Sequence, residues 1–345
     1  MSASSLSISP GSLTDPAPLP DAPGGCLLVT DDHVEPLIPE AWAGFARHVI
    51  APGEGSKTWE GLGGLLHALD RAGIDRDGLV LAVGGGVVTD LAGLGASLHR
   101  RGVRWVAVPT SVVGQVDAAV GGKTAVNLGG GKNTVGSFHP AIEVRVDPRA
   151  LSSLPDVHLR AGMAEVLKTA LIAGGELYER MADLAPEDLR AGGDQACAVV
   201  DACLTTKLSL VEGDLHDRGE RRKLNLGHTF GHAFEALCLD GPGRAAGLHH
   251  GQAVGLGLIC AARLTAGEPD AALEVEVRER LGAWGLPTRV DLDPTDVLAE
   301  MARDKKREGG GLVCVLVHHP GRVTVRADVP AAAVEAALGA VLGQP

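Results

Sequence analysis

Aromatic side chains are scarce, with four Phe, four Trp and one Tyr among 345 residues. Positive charge is also in deficit: 31 Lys and Arg stand against 43 Asp and Glu, a net charge of −12. Nucleic-acid binding needs a basic footprint, and single-strand binding adds stacking aromatics, so no nucleic-acid partner is expected. The six cysteines, at 26, 197, 203, 238, 260 and 314, form no C-x-x-C pair and no zinc-finger spacing. This argues against a thiolate metal site or a disulfide scaffold and suits a reducing cytoplasm. The longest apolar run, around "AVGLGLICAA", is too short to cross a bilayer. Residues 1–24, "MSASSLSISPGSLTDPAPLPDAPG", lack the basic start and apolar centre of a secretory signal, and their Ser, Pro and Gly predict a mobile tail.

Apolar residues make up 45% and charged residues 21%, the balance of a soluble globular protein long enough for two domains. Over 25–150, short apolar runs alternate with helical patterns. "CLLVT", "RHVIA", "LVLAV" and "WVAVP" read as strands. Trp59, Leu62, Leu65, Leu66 and Leu69 recur at helical intervals, and "VVTDLAGLGASLH" also reads as a helix. This alternation predicts a parallel sheet flanked by helices, with ligands at the carboxyl ends of strands. From 151 to 345 the texture is Ala/Leu-rich and mainly helical, with helices near 157–173, 196–212, 227–239, 250–266, 270–284 and 331–342. "LVCVLVHHPGRVTVRADV" interrupts them as a hairpin. The expected fold is thus α/β followed by α, with a boundary near 150 and an active site in the cleft between the halves.

Three groups of residues could carry chemistry. "VGGKTAVNLGGGKNTVG", Val120 to Gly136, holds two Gly-Lys pairs among glycines, but neither has the P-loop spacing. The glycine that must open the turn is Asp117 in one case and Val126 in the other. A polar, anion-directed site and a flexible surface loop both fit. Gly84-Gly85-Gly86 ends a strand where backbone can approach a pyrophosphate at a helix N-terminus; a tight structural turn fits equally. Finally, His228 and His232 lie four apart in "NLGHTFGHAFEA", His249 and His250 precede a later helix, and Glu165 and Lys168 lie three apart on an earlier one. Two histidines and a carboxylate would give a divalent metal three protein ligands and an open position. Spacing alone leaves this beside the alternative of satisfied polar groups on helix faces. Lys207, Arg221, Arg222, Asn225 and the "RDKK" run from Arg303 to Lys306 add anion contacts or plain helix capping.

In order and spacing, "GGGVVTDLAG", "RRGVRWVAVPTS", "QVDAAVGGKTAVN", "GGGKNTVGSFHP", "AGMAEVLKTALI", "LNLGHTFGHAFEA", "HHGQAVGLG" and "RDKK" resemble the sugar phosphate cyclases, and most of all the 3-dehydroquinate synthase family, from about residue 26 to 320. The resemblance implies a Rossmann-like NAD-binding domain, a C-terminal mainly helical metal-binding domain, and a carbocycle-forming phosphorus–oxygen lyase of the shikimate route to aromatic amino acids. Its reaction would convert 3-deoxy-D-arabino-heptulosonate 7-phosphate to 3-dehydroquinate and phosphate. NAD would take hydride from a ring carbinol and return it after phosphate leaves, and ring opening and aldol closure would follow. By position, Glu165, His228 and His250 match the ligands of zinc or cobalt. Lys123, Asn133, Asn225, His232 and Lys305 match phosphate contacts, joined by Arg101 from a neighbouring subunit, which implies a homodimer. Asp117 and Lys168 match groups on ring hydroxyls. The cofactor positions are Asp31, Glu54, Lys57, Gly85, Gly86, Asp90, Thr110, Ser111, Lys123, Lys132 and Ser153.

Substrate choice within the superfamily turns on a carboxylate, which the inosose- and valiolone-forming cyclases do not meet. Lys207 and Arg221 match the two family cations that bind it, and buried cations built around an anion are destabilised when it is missing. Their presence favours dehydroquinate over 2-deoxy-scyllo-inosose or 2-epi-5-epi-valiolone formation; an amino-dehydroquinate reaction would keep both. A glycerol-dehydrogenase type of metal-dependent alcohol dehydrogenase would not need the phosphate cations. The chain departs from the family pattern at Asp217 and Gln252, where Glu is common, at His33, a common Asn position, and at Ser111, a common Thr position.

Overall fold

The computed structural model describes residues 4–129, 131–239, 247–265, 272–308, 312–327 and 329–343, with residues 239 and 304–308 described by backbone alone. In chain order the first elements are β1 (Ser5–Ile8), β2 (Cys26–Asp31), β3 (Ala46–Ile50), α1 (Trp59–Arg71), β4 (Leu79–Gly84), α2 (Gly86–Leu98), β5 (Arg104–Pro109), β6 (Lys123–Leu128), β7 (Gly131–Phe138) and β8 (Glu143–Val146). Then come α3 (Asp156–Ala173), α4 (Gly175–Arg180), α5 (Pro186–Ala191), α6 (Asp194–Val211), α7 (His228–Leu239), α8 (His250–Arg263), α9 (Ala272–Ala283), α10 (Pro294–Glu308), β9 (Cys314–His319), β10 (Arg322–Arg326) and α11 (Ala331–Leu338). They form two compact units: Met1–Pro155 with Glu187–Leu208, and Asp156–Pro186 with Ser209–Pro345. A single boundary near 150 therefore misses the return of 187–208 to the first unit.

The first unit is built on a six-stranded sheet in the order β1-β8-β5-β4-β2-β3, every pair parallel. β4 is buried along its whole length, as a central parallel strand must be when both faces are covered. Thr58 caps α1 by accepting from the Gly61 amide, and α1 buries Leu62, Leu65, Ala68 and Leu69 on one face. The chain leaves β2 toward β3 on one side and resumes at β4 on the other. The carboxyl ends of β2 and β4 thus form the switch point at which open α/β sheets bind ligands.

The N-terminal segment differs from the mobile tail its composition predicts. β1 extends the sheet edge by pairing with β8. Asp147 accepts from the amides of Gly11 and Leu13 at 2.9 and 2.8 Å, and Arg145 donates to the carbonyls of Ala17 and Pro18 at 2.6 and 2.8 Å. Asp147 and Arg145 are both buried and need such partners. The tail's backbone meets that need, through contacts too distant in sequence for a local pattern to reveal.

The second unit centres on α3, which is buried nearly all round from Ala161 to Ile172. Two glycines of α8 let it approach its neighbours. A Cβ on Gly251 would lie 1.9 Å from the Ala161 carbonyl oxygen of α3, and one on Gly257 would lie 1.9 Å from the Gly227 carbonyl that precedes α7. Bare backbone thus seats α8 against both α3 and the start of α7. The hairpin expected around "HHPG" is present as β9 and β10, and its turn is anchored by the Gly321 amide donating to Leu171 at 2.9 Å.

Candidate active site

In the second unit, Glu165 on α3, His228 at the start of α7 and His250 at the start of α8 converge, with one ligand atom from each lying within 4.8 Å of the others. Nε2 of His250 is 3.1 Å and Nε2 of His228 3.8 Å from Oε1 of Glu165. Metal–ligand bonds of about 2.0–2.1 Å at tetrahedral angles put neighbouring ligand atoms about 3.3 Å apart, so these separations suit one divalent ion. The other nitrogen of each ring is also anchored. Nδ1 of His228 lies 3.2 Å from the Leu226 carbonyl, which only an N–H can serve, so the proton sits on Nδ1 and Nε2 is left as the ligand. Nδ1 of His250 faces Oε2 of Glu235 at 3.4 Å. Burial, reinforced by the charge of Lys168, holds the His228 pKa down to about 3, so its ring is neutral, the form that binds metal. Burial also pulls the His250 pKa down, but hydrogen bonds and charges from Glu165 and Glu235 outweigh it and lift the value to about 10, so a cation bound at this ring would displace the Nε2 proton. The donor set, one carboxylate and two imidazoles with both Nδ1 atoms engaged, fits a catalytic zinc-type centre.

Around this cluster, Lys168 stands 2.6 Å from Oε2 of Glu165 and is as buried as its partner. His232, one turn beyond His228, holds its ring 5.3 Å from that of His228 and lies outside the ligand group. His249 caps α8: its backbone amide donates to Oε1 of Gln252 at 2.9 Å, and its ring turns toward His158, 4.9 Å away. Gln252 is thus an uncharged partner in the capping box of α8. Arg221 is buried and donates from Nη1 to the Leu215 carbonyl at 2.7 Å, in a loop that Asp214 gathers by accepting from the amides of Arg218, Gly219 and Arg221. Asn225 ends the turn of helix Glu220–Asn225 that follows. Lys305 lies on α10, but its side chain is outside the described residues.

In the first unit, the switch point carries Asp31 at the end of β2 and Gly85 and Gly86 at the start of α2. Gly85 caps α2 without a side chain, so the first-turn amides meet the carboxyl edge of the sheet as bare backbone at the positive end of the helix. The Thr110 amide donates to Gly84 at 3.0 Å, and Ser111 Oγ accepts from Gly114 at 3.1 Å, which holds the end of β5 beside the glycines. Asp31 folds its own loop by accepting from the amides of His33 and Val34. Bare amides, a nearby hydroxyl and a carboxylate fit a dinucleotide. Deeper in, Lys57 donates to Asp90 at 2.5 Å; burial raises the Asp90 pKa although Lys57 pulls the other way. Glu54 accepts from Asn127 at 3.0 Å and lies 4.0 Å from Lys132. Ser153 donates to Ala150 at the end of a helical turn.

The lysine- and glycine-rich run is an antiparallel hairpin of β6 and β7. Lys123 opens β6 and is exposed; Lys132 and Asn133 lie on β7, Asn133 with a φ of 52° and its amide on Asn127. A P-loop lysine sits at a helix N-terminus, and here a strand follows instead, so the structure also excludes a P-loop. Asp117 lies in a widened turn, Gly114–Ala118, and Lys207 of α6 donates to both its carboxylate and its carbonyl. Arg101 is exposed in a turn where it and Arg100 both adopt positive φ, at 68° and 51°. The sequence reading gave no role to Glu235. Its spacing was the available signal: Glu235 falls seven residues after His228, on the same face of α7.

Two family models, described as 3-dehydroquinate synthase N-terminal and 3-dehydroquinate synthase C-terminal, match residues 47–161 and 162–307. A protein of Xanthomonas campestris pv. campestris (strain 8004) named 3-dehydroquinate synthase is 41% identical over 347 residues, covering 95% of this chain and 93% of the relative. The chain belongs to the 3-dehydroquinate synthase family. The family's C-terminal match contains all three residues of the Glu165 cluster, and its N-terminal match contains Gly85, Gly86 and the β6–β7 hairpin. Among solved structures, 2-epi-5-epi-valiolone synthase from Streptomyces hygroscopicus subsp. jinggangensis 5008, with NAD+ and Zn2+ bound, superposes with a TM-score of 0.84 at 29% identity, over 98% of this chain and 96% of that one. A 2-deoxy-scyllo-inosose synthase complexed with carbaglucose-6-phosphate, NAD+ and Co2+ follows at 0.79 and 25%, over 96% and 95%. Among the described residues, no helix is long and apolar enough to cross a membrane.

Proposed function

We propose that the chain is a 3-dehydroquinate synthase, converting 3-deoxy-D-arabino-heptulosonate 7-phosphate to 3-dehydroquinate and phosphate with catalytic NAD+. The observation that carries this reading is the convergence of Glu165, His228 and His250 in a chain matched by both family models. Those three residues would hold zinc or cobalt, and the switch-point residues Asp31, Gly85, Gly86, Thr110 and Ser111, with Glu54, Lys57, Asp90, Lys123, Lys132 and Ser153, would hold NAD. The cation supplies Lewis acidity toward a substrate hydroxyl, and NAD+ supplies a reversible hydride acceptor.

The chain's own side chains bind and orient. Lys168, fixed beside Glu165, and Asp117, fixed by Lys207, hold ring hydroxyls. Lys207, beside Asp117, and Arg221 are both buried and would receive the substrate carboxylate. Lys123, Asn133, Asn225, His232 and Lys305 grip the phosphate that departs. In this reading the chain works as a cytoplasmic homodimer, with Arg101 reaching the neighbouring copy's phosphate. Its free cysteines suit a reducing compartment.

The test is phosphate release from the heptulosonate phosphate with substoichiometric NAD+, run beside sedoheptulose 7-phosphate and glucose 6-phosphate, before and after chelator treatment. Release from the heptulosonate phosphate alone, lost on stripping and restored by Zn2+ or Co2+, is the expected result. Release only from an uncarboxylated sugar phosphate would refute the substrate, and undiminished turnover after verified metal removal would refute the metal site.

A further inference from the structure

Glu235 has no part in the reaction as described so far, yet its carboxylate is buried with only 2% of the residue exposed. A buried carboxylate is retained only where something compensates it. On α7 it follows His228 and His232 at helical spacing, so it lies on the helix face that carries them. Its Oε2 is 3.4 Å from Nδ1 of His250, while Nε2 of the same ring is 3.1 Å from Glu165. One imidazole is therefore held between two carboxylates, through opposite nitrogens.

The two histidines of the cluster are secured differently. His228 has its Nδ1 on a main-chain carbonyl, that of Leu226, two residues before it. His250 is the first residue of α8, about a third exposed at the side chain, and the Nδ1 partner found for it is a side chain from another helix. A ring at a helix start has few backbone constraints on its rotation. An acceptor on Nδ1 keeps the proton there and leaves Nε2 to face Glu165.

We propose that Glu235 is a positioning residue for the metal site: by accepting from Nδ1 of His250, it fixes the tautomer and rotation that aim Nε2 at a divalent ion. The inference rests on reading Glu165, His228 and His250 as the ligands. It makes α7 a double contributor, through His228 directly and through Glu235 by way of α8.

The test is Zn2+ affinity, measured by competition with a chromophoric chelator at fixed pH, for the wild-type chain, Glu235→Ala and Glu235→Gln, alongside the visible spectrum of bound Co2+. Alanine is expected to weaken binding 10- to 100-fold. Glutamine keeps an acceptor of the same shape and is expected to recover most of that loss, with a displaced Co2+ absorption band because the acceptor has lost its charge. Alanine binding within threefold of wild type, or glutamine no better than alanine, overturns the proposal. If alanine does not fold by circular dichroism, the glutamine spectrum decides: a displaced band supports the proposal and an unchanged one overturns it. A wild-type chain that binds no divalent ion overturns the ligand assignment and the inference together.

Discussion

Gly251→Ala is the sharpest perturbation of the Glu165–His228–His250 cluster that leaves its three side chains in place. The added Cβ would stand 1.9 Å from the Ala161 carbonyl oxygen and 2.5 Å from its carbon. Carbon–oxygen contacts settle at about 3.3 Å or more, so α8 must move from α3 by about 1.4 Å. The obstacle is main chain, which no rotamer change can clear. His250 adjoins the substituted residue, and Glu165 lies one turn past Ala161, so the displacement falls on the 3.1 Å separation between them. Metal sites tolerate about 0.2 Å in ligand distance, so Zn2+ affinity should fall at least about tenfold. The metal-free protein should lose about 1–3 kcal/mol, the usual effect of overpacking. Gly63→Ala in α1 is the control: nothing lies within 4 Å of its Cβ, so helix propensity alone should add up to about 1 kcal/mol and metal affinity should not change. Urea unfolding of the stripped proteins and chelator competition read both quantities. If Gly251→Ala binds Zn2+ as tightly as wild type and unfolds at the same urea concentration, glycine-mediated helix approach does not set the cluster.

Asp90→Asn should destabilise the first unit by about 3 kcal/mol, because Lys57 loses its counter-charge while still buried; a Lys57→Met, Asp90→Asn double variant should recover part of this in urea melts, and equal losses would contradict the pairing. Deleting residues 1–18 should lower the unfolding midpoint, since β1 and the amides and carbonyls that serve Asp147 and Arg145 go with it; an unchanged midpoint would restore the mobile-tail reading. Lys207→Met should reduce kcat/KM for the heptulosonate phosphate by at least about 100-fold, the order expected when a charged hydrogen-bonding partner of a buried anion is lost. An equal fractional loss on an uncarboxylated analogue would detach Lys207 from the carboxylate.

What could be read from the sequence was what local pattern encodes. β2, β4, β5 and α1 follow from apolar runs and helical spacing, and the structure reproduces them within a residue or two. The β6–β7 hairpin was illegible because most of β7 is exposed or half-exposed, leaving no apolar alternation to see, and glycine masks what remains. β1 was hidden for the opposite reason. Its "SLSI" does alternate, but the Ser, Pro and Gly around it match a disordered composition, and the segment is held down by distant partners: the β8 edge, and the buried side chains of Arg145 and Asp147. The assignment of α5 and most of α6 to the first unit is a matter of contacts across the fold, with no composition change to mark it.

The same limit governs the site. "LHHGQ" offers two adjacent histidines, and residue type cannot choose between them. Local backbone can: His249 is extended, at φ −67° and ψ 149°, and serves as the N-cap of α8, while His250 begins the helix proper. Successive positions at a helix start point about 100° apart, so the two rings diverge and one at most can reach Glu165. Gly251 against Ala161 then decides which ring that is, by pressing this turn of α8 onto the turn that precedes Glu165. His249 turns to His158, and His250 to Glu165 and Glu235. The histidine that joins the cluster is thus selected by a glycine with no side chain in it, and the cluster depends on main-chain approach as much as on the three side chains that compose it.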